Sequence, residues 1–277
     1  MDLETTSNRR VTAPDGATLT VHSTGTGHGV VVVHGGGVTV DVYRRLAARL
    51  AATGLTVHRY NRRGRADAPP RREPYTVEAE VEDLAVVLAA TGSRRVLGHS
   101  SGALIALTAA PHLPIDRLAL YDAAVGVDGS FPTAWLDSAR EAAHSGDIAR
   151  SLAIASGGIN THSPAARLPL AVRTALCRAF LRTPIGRTMG ELLPSTLDES
   201  HLVRETDGPA HRWSNVGAEV LLVYGTAGPP YYRATNEALA AALPRARVLP
   251  IPRSGHDGIN RAPDRIVEPL AAFLAAE

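Results

Sequence analysis

The fold of this chain is decided by the stretch Arg95-Val96-Leu97-Gly98-His99-Ser100-Ser101-Gly102-Ala103-Leu104-Ile105-Ala106-Leu107. The apolar run before Gly98 predicts a strand, and the apolar run after Gly102 predicts a helix. Ser100 lies at the apex of the turn between them. Glycine two positions on either side lets the strand and helix approach closely, as the strained backbone of a nucleophile elbow requires. The alternative interpretation is a structural Gly/Ser turn.

The composition limits the class of protein. The 277 residues are enough to bury one large core with an insertion, or two small domains. The formal net charge is only +2 without blocks of like charge, so neither nucleic acid nor an anionic membrane is expected as a partner. Residues 1–10 are polar, and no apolar segment is long enough to span a bilayer. We therefore expect a cytoplasmic protein, either a monomer or a homodimer.

Strand and helix patterns alternate along most of the chain. Residues 10–13 and 18–22 alternate in polarity around Pro14-Asp15-Gly16, which predicts an antiparallel hairpin. Further strands are predicted at residues 30–33, 55–60, 95–98, 118–121, 220–224 and 247–249, and helices at residues 42–52, 76–90, 231–243 and 263–276, besides the helix after the elbow. This alternation predicts an α/β fold whose mostly parallel, eight-stranded sheet has helices on both faces.

The alternation stops after Asp122 and resumes at Val220. Residues 125–213 show helical patterns only, interrupted by a Gly-Gly pair and several prolines. We therefore expect residues 1–124 and 214–277 to form the core, and residues 125–213 to form a helical lid above the carboxyl edge of the sheet. The apolar lid residues either line a pocket or pack the lid itself, and they are Phe131, Trp135, Leu136, Ile154, Ile159, Leu181, Met189 and Leu192.

A nucleophilic serine needs a general base, and His256 is the candidate. It lies in Gly255-His256-Asp257, after the last predicted strand and before the helix that Pro263 opens. A loop in that place can reach back over the sheet edge towards Ser100. Most of the 11 histidines are expected at the surface. Cys177, the only cysteine, excludes a disulfide within one chain, and its apolar surroundings favour burial over a nucleophilic role.

The run His34-Gly35-Gly36-Gly37 directly follows a predicted buried strand. Glycine lets the backbone turn so that an N–H group points into a site, as in the oxyanion hole of serine hydrolases. The candidate donors are the N–H group of Gly36 or Gly37 and that of Ser101. The alternative is a phosphate-binding loop, although the spacing matches neither nucleotide fingerprint.

Four motifs together resemble the α/β-hydrolase superfamily in order and spacing: residues 34–37, 60–65, 98–102 and 255–256. The resemblance is strong over residues 10–123 and 217–277 and weak in the predicted lid. It implies an esterase, thioesterase, lactonase or C–C bond hydrolase that acts on a small molecule with no cofactor and no metal. The arginines of Tyr60-Asn61-Arg62-Arg63-Gly64-Arg65 are interpreted as a structural turn that bonds neighbouring carbonyls, with a substrate clamp as the alternative.

The acid of the triad departs from the commonest family pattern, in which an Asp lies in the loop after the first strand beyond the lid. That loop here reads Gly225-Thr226-Ala227-Gly228-Pro229-Pro230 and contains no carboxylate. Haloalkane dehalogenases use the end of the strand after the nucleophile helix, where this chain has Asp122. We therefore predict that Asp122 orients His256. The alternatives are Asp257, a merely structural Asp122, and a dyad without an acid.

Three classes of function follow from these residues. The first is a serine hydrolase of a carboxylic ester, thioester or lactone, which the serine, the histidine and the glycine run favour. The second is a non-hydrolytic member of the same fold, such as a cyclase, lyase or acyltransferase of secondary metabolism, and the third is a catalytically silent binder. Aromatic residues make up only 4% of the chain, which favours an apolar aliphatic or acyl ligand.

Overall fold

One sheet of eight strands runs through the computed structural model, which describes residues 6–276. In chain order the strands are β1 (Thr6–Thr12), β2 (Thr18–Thr24), β3 (His28–Val33), β4 (Leu55–Tyr60), β5 (Arg95–His99), β6 (Arg117–Tyr121), β7 (Glu219–Gly225) and β8 (Ala246–Ile251). Their order across the sheet is β1-β2-β4-β3-β5-β6-β7-β8. Only β1 with β2 and β2 with β4 pair antiparallel, and the other neighbours are parallel. The predicted sheet is confirmed.

The helices follow the predicted order. They are α1 (Arg44–Ala51), α2 (Val77–Thr91), α3 (Ser101–Ala109), α4 (Leu136–His144), α5 (Ile148–Ile159), α6 (Leu170–Phe180), α7 (Pro184–Glu191), α8 (Leu193–Glu205), α9 (Pro230–Ala242), α10 (Gly258–Arg261) and α11 (Asp264–Ala275). The Thr76 hydroxyl caps α2 by accepting a hydrogen bond from the Ala79 N–H, and Gly92 ends the helix with φ of 67°.

Within the described part of the chain, no helix is both long enough and apolar enough to cross a bilayer.

The β-branched run of β3 explains why helices cover both faces of the sheet. Successive side chains of a strand point to opposite faces. Val31 and Val33 therefore pack in the cluster that contains apolar residues of α2 and α3. Val30 and Val32 pack in a second cluster with apolar residues of α1 and α11. A strand that is buried on both faces needs an unbroken apolar run, and residues 30–33 supply it.

Between β6 and β7 the chain leaves the sheet and forms the helices α4 to α8, as the helical pattern of residues 125–213 predicts. We call residues 125–213 the insertion. It has a small apolar core of its own, formed by Trp135, Leu136, Ala139, Leu152, Ala155, Leu193 and Leu197. The division into a core domain and a lid stays a prediction.

Candidate active site

Ser100 lies at the turn between β5 and α3, with φ of 55° and ψ of −124°. Positive φ is uncommon for a residue with a side chain and requires support from its surroundings. Hydrogen bonds supply that support. The Ser100 N–H donates to the Tyr121 carbonyl at 3.1 Å, and the Ser100 carbonyl accepts the N–H groups of Ala103 at 2.9 Å and Ala124 at 3.1 Å. The strained backbone that the elbow motif predicts is therefore present.

Gly102 has room for no side chain. A Cβ atom there would lie 2.2 Å from the Val33 carbonyl oxygen and 2.6 Å from the His34 carbonyl oxygen. Both neighbours are backbone atoms at the end of the buried strand β3, so they cannot move away as a flexible side chain would. The glycine is what lets α3 start directly against β3 and place Ser100 at the sheet edge.

We expect Gly102→Ala to lower the free energy of unfolding by about 1–3 kcal/mol, because the added methyl group forces backbone shifts in a close-packed core. Gly217→Ala is the matched control, since a Cβ atom at Gly217 would meet nothing within 4 Å. Urea denaturation of both variants measures the difference. Equal stability of the two variants would show that the elbow tolerates a side chain at residue 102.

Asp122 lies directly after β6 and is completely buried. Its Oδ2 is 3.2 Å from His256 Nδ1, and its Oδ1 accepts the Gly225 N–H at 3.0 Å. Gly225 begins the loop in which the commonest family pattern would place the acid. Here that loop donates a backbone N–H group to a carboxylate that comes from the neighbouring strand. The carboxylate is thereby held on both oxygens.

The His256 imidazole lies between two aromatic rings. The Tyr232 ring is stacked on it with a 4° angle between the planes and 5.2 Å between the centroids. The His99 ring lies 4.5 Å away, tilted by 38°. His99 is buried beneath the elbow, and its Nδ1 is 2.6 Å from the Tyr43 hydroxyl. Burial holds the pKa of His99 well below its usual value, so it stays neutral beside His256.

Ser100 and His256 line the same cavity, which has a volume of about 270 Å³. Among residues 6–276 the Ser100 hydroxyl makes no hydrogen bond in this arrangement. Catalytic hydrogen bonds are often longer without substrate and tighten when it binds. The insertion contributes apolar side chains to the same cavity: Phe131, Leu152, Ile159, Met189, Leu193 and Val203.

Gly36, Gly37 and Ser101 also line this cavity. In the described part of the chain, the N–H groups of Gly36 and Gly37 have no hydrogen-bond acceptor. Ser101 is the first residue of α3, and the N–H groups of a first helical turn have no partner within the helix. Unpaired N–H donors at the entrance of a helix are suited to stabilise a negative oxygen.

His34, which precedes these glycines, has a structural role. It is fully buried, its Nδ1 lies 2.8 Å from the Gly35 carbonyl oxygen, and its Nε2 accepts the Arg62 N–H at 3.0 Å. One nitrogen therefore donates and the other accepts, which only the neutral imidazole can do. Burial also holds the pKa of His34 well below its usual value.

All three arginines of the residue 60–65 loop are buried and paired with carboxylates, Arg63 with Asp15 and Asp83. Arg62 binds Glu80 at 2.8 Å and Glu199 at 3.1 Å, and Arg65 also binds Glu199. Arg62 donates to the His34 carbonyl as well, at 3.1 Å. None of the three arginines lines the cavity. They bond a carbonyl and carboxylates of the chain itself, and the structural role of the loop stays a prediction.

Glu199, on α8, was not predicted from the sequence. It is buried, lines the cavity and accepts a hydrogen bond from the Ser101 hydroxyl, which joins the insertion to the elbow. The sequence does place Glu199 in one helix with the apolar residues Leu197, Leu202 and Val203. A carboxylate on the buried side of such a helix needs a buried partner, and this pattern could have marked Glu199 as a candidate. The partner is the arginine-rich loop, which nothing in the local sequence connects to α8.

Burial opposes ionisation of Glu199, but Arg62 and Arg65 outweigh it and lower its pKa to about 2. A carboxyl group with a lowered pKa stabilises the fold above its unfolded pKa, and this contribution is lost as the pH falls towards the folded value. We therefore expect Glu199→Gln to cost about 3–5 kcal/mol near neutral pH, because two buried guanidinium groups lose their shared counter-ion.

The difference between Glu199→Gln and the parent protein should shrink as the pH falls from about 5 towards 2. Urea denaturation over that pH range measures it, with exposed Glu191→Gln as the control. A difference that does not depend on pH would contradict the ionised state of Glu199.

The structure also places the alternative candidates. Asp257 lines the cavity but its side chain is exposed, and its carboxylate makes no hydrogen bond to His256 within residues 6–276. Cys177 lies on α6, outside the lining of the active-site cavity, and burial raises the pKa of its thiol. Eight apolar residues of the insertion were predicted either to line a pocket or to pack the insertion. Three of them line the cavity, and they are Phe131, Ile159 and Met189. Four others belong to the apolar core of the insertion or pack against it, namely Trp135, Leu136, Ile154 and Leu181, and Leu192 is buried outside that cluster.

A family model described as the alpha/beta hydrolase family matches residues 30–268. The chain belongs to the α/β-hydrolase family. An alpha/beta hydrolase from Sphaerobacter thermophilus has 29% identity and a TM-score of 0.78, with 96% of this chain and 99% of that chain covered. The predicted family and fold class are therefore confirmed.

Two further solved structures share the fold. A hydrolase from Pseudomonas aeruginosa has 21% identity and a TM-score of 0.74, with 98% of this chain and 99% of that chain covered. An esterase from Exiguobacterium antarcticum has 17% identity and a TM-score of 0.72, with 98% and 100% covered. A search of curated proteins gives no match.

Proposed function

We propose that this α/β-hydrolase is a serine hydrolase of a carboxylic ester, thioester or lactone. The observation that carries the proposal is the contact of 3.2 Å between Asp122 Oδ2 and His256 Nδ1, with His256 and the elbow serine Ser100 in one cavity. An acid in contact with a base, and a nucleophile in the same cavity as that base, are the parts of an acyl-transfer triad.

In the first half of the reaction, the Ser100 oxygen attacks the substrate carbonyl carbon while His256 Nε2 takes the proton of the Ser100 hydroxyl. Asp122 accepts the Nδ1–H bond and stabilises the imidazolium that forms. The N–H groups of Ser101 and of Gly36 or Gly37 bind the tetrahedral oxyanion. His256 then gives its proton to the leaving oxygen or sulfur, and the acyl group stays on Ser100.

In the second half, His256 takes a proton from water as the water oxygen attacks the acyl carbonyl. The bond between the acyl group and Ser100 breaks, and His256 returns the proton to the serine. The free carboxylic acid is released. Every proton removed in one step is returned in the next, so the enzyme needs no cofactor.

The cavity lining favours an uncharged, apolar acyl group. The side chains that the insertion contributes are mostly apolar, and Glu199 is already paired with Arg62 and Arg65. A volume of about 270 Å³ lies just below the roughly 300–1,000 Å³ range of small-molecule pockets. We therefore propose short to medium acyl chains, with the insertion acting as the lid that selects them. The expected cytoplasmic location and the monomeric or homodimeric state stay predictions.

A panel of p-nitrophenyl esters of increasing acyl length tests the proposal, together with labelling by a serine-directed fluorophosphonate. We expect turnover of the shorter esters and a covalent label on Ser100, located by peptide mass spectrometry. Labelling without turnover of any ester, thioester or lactone would instead favour a non-hydrolytic cyclase, lyase or acyltransferase. Neither labelling nor turnover would favour a catalytically silent binder.

A further inference from the structure

Exposed large apolar side chains are concentrated on one part of the insertion. In the described part of the chain there are six of them, and all but Val42 lie within residues 168–185. Their exposed fractions are 39% for Leu168, 44% for Val172, 55% for Leu176, 36% for Phe180 and 72% for Ile185. Single exposed apolar residues are ordinary, but a contiguous group of them marks an interaction surface.

Helix α6 presents three of these five residues on one face. Val172, Leu176 and Phe180 follow each other at four-residue spacing, and so do the exposed residues Ala171, Ala175 and Ala179, which lie beside them. Residues four apart share one side of a helix. No residue of α6 is buried. The helix therefore turns an almost wholly apolar side to solvent.

The same segment is strongly basic. From residue 148 to residue 190 the sequence has six arginines and no Asp or Glu. The exposed ones within residues 167–187 are Arg167, Arg178, Arg182 and Arg187. We call these four arginines and the five apolar residues Leu168, Val172, Leu176, Phe180 and Ile185 the basic apolar face.

Most of the arginines of this face have no carboxylate partner within the described part of the chain. Among residues 6–276 the only ion pair they form joins Arg178 to Asp147, at 3.7 Å. In the core, by contrast, Arg62 and Arg63 each bind carboxylates on more than one side. The unbalanced positive charge of the face is thus available to a partner outside the chain.

We propose that the basic apolar face docks on an anionic lipid surface. Apolar side chains enter the boundary between headgroups and acyl chains, and arginines beside them pair with lipid phosphates. A second copy of the chain fits less well, because a two-fold contact through this face would bring two sets of unpaired arginines together. The net charge of +2 led us to expect no anionic membrane as a partner. The proposal departs from that expectation, because the net charge is a sum over the whole chain and does not show where positive charge is concentrated.

The face adjoins the active-site cavity. A second cavity of about 260 Å³ lies between α5 and α6 and is lined by Leu176 and Cys177, among others. It shares Ser156 and Asn160 with the lining of the active-site cavity. Docking through this face would therefore hold the part of the insertion next to the substrate site against the lipid.

Co-sedimentation with vesicles tests the proposal without any assay of activity, so its outcome is independent of the proposed hydrolase function. The vesicles are pure phosphatidylcholine, or phosphatidylcholine with about one third phosphatidylglycerol. We expect binding to the anionic vesicles only, with loss of binding at high salt because screening weakens the arginine contacts. Binding to neither kind of vesicle would overturn the proposal.

Two double variants test the two parts of the face. We expect Arg167→Glu with Arg182→Glu to weaken binding to anionic vesicles by at least roughly tenfold, and Val172→Ser with Ile185→Ser to weaken it measurably. The matched control is Val42→Ser with Arg45→Glu, which changes an exposed apolar residue and an exposed arginine on the core.

Equal binding by all three variants would place the lipid contact elsewhere and contradict the proposal. Size-exclusion chromatography with light scattering tests the competing occupant. A dimer of the parent protein that Val172→Ser with Ile185→Ser converts to a monomer would assign the face to a second copy, and would also overturn the proposal.

Discussion

Replacement of Ser100 by alanine is expected to lower the turnover of p-nitrophenyl esters by about 10⁶-fold and to abolish labelling by a fluorophosphonate. The hydroxyl oxygen is the atom that forms the acyl-enzyme, and no other group in the cavity replaces it. Alanine keeps the backbone N–H groups of the elbow, and it removes one oxygen from a residue that is only partly buried. The fold should therefore be retained, which circular dichroism and urea denaturation check.

Ser156→Ala is the matched control for this prediction, because Ser156 presents another serine hydroxyl to the same cavity. We expect its turnover and labelling to stay close to those of the parent protein. If Ser100→Ala kept the parent rate on an ester that the parent hydrolyses, the acyl-enzyme mechanism would be wrong. Catalysis by His256 without the serine would then become the better explanation.

Asp122→Asn should lower turnover by about 10⁴-fold. The hydrogen bonds of Asp122 give the reason. The Gly225 N–H needs an acceptor and so holds the amide oxygen of the new side chain in the place of Oδ1. The amide NH₂ group then faces His256 Nδ1, which must accept. The proton of the neutral imidazole is thereby placed on Nε2, where the base needs a lone pair to receive the proton of Ser100.

Asp257→Asn is the control for this second prediction, because it makes the same change in the residue next to His256. Its side chain is exposed and makes no capping hydrogen bond to α10, which follows it, so we expect a rate close to that of the parent. A loss of rate in Asp257→Asn with no loss in Asp122→Asn would exchange the roles of the two carboxylates. Little change in both variants would favour a dyad of Ser100 and His256.

Much of the fold could be predicted from the sequence, because its signals are local. The run at residues 30–33 predicts a strand buried on both faces, and the structure divides its side chains between two clusters. The pattern at residues 95–107 predicts strand, turn and helix, and Ser100 has the strained backbone of such a turn. Each of these patterns depends on residues that are close in the chain.

Functional contacts between residues that are far apart in the sequence depend on how strands and helices are arranged. Asp122 and His256 are separated by 134 residues. They meet because β6 pairs with β7 and β7 with β8, which brings the ends of three parallel strands to one edge. Glu199 meets Arg62 across 137 residues because α8 returns over the elbow. The position of Asp122 at the end of the strand after the nucleophile helix predicted the first contact, with Asp257 and a dyad as alternatives, but no pattern predicted the contact of Glu199 with Arg62.

The exposure of α6 is a further property that tertiary packing decides and local sequence patterns do not. Its sequence has the apolar spacing of a helix that packs against a core, and by itself that spacing predicts burial. The structure leaves this side in solvent, because the small core of the insertion closes around α4, α5 and α8 instead. The sequence alone thus determined the sheet, the elbow and the glycine run, since short-range periodicity and backbone sterics suffice for them. Only the tertiary structure decided which carboxylate meets His256, where Glu199 is neutralised and which apolar helix face stays uncovered, because packing between distant segments sets all three.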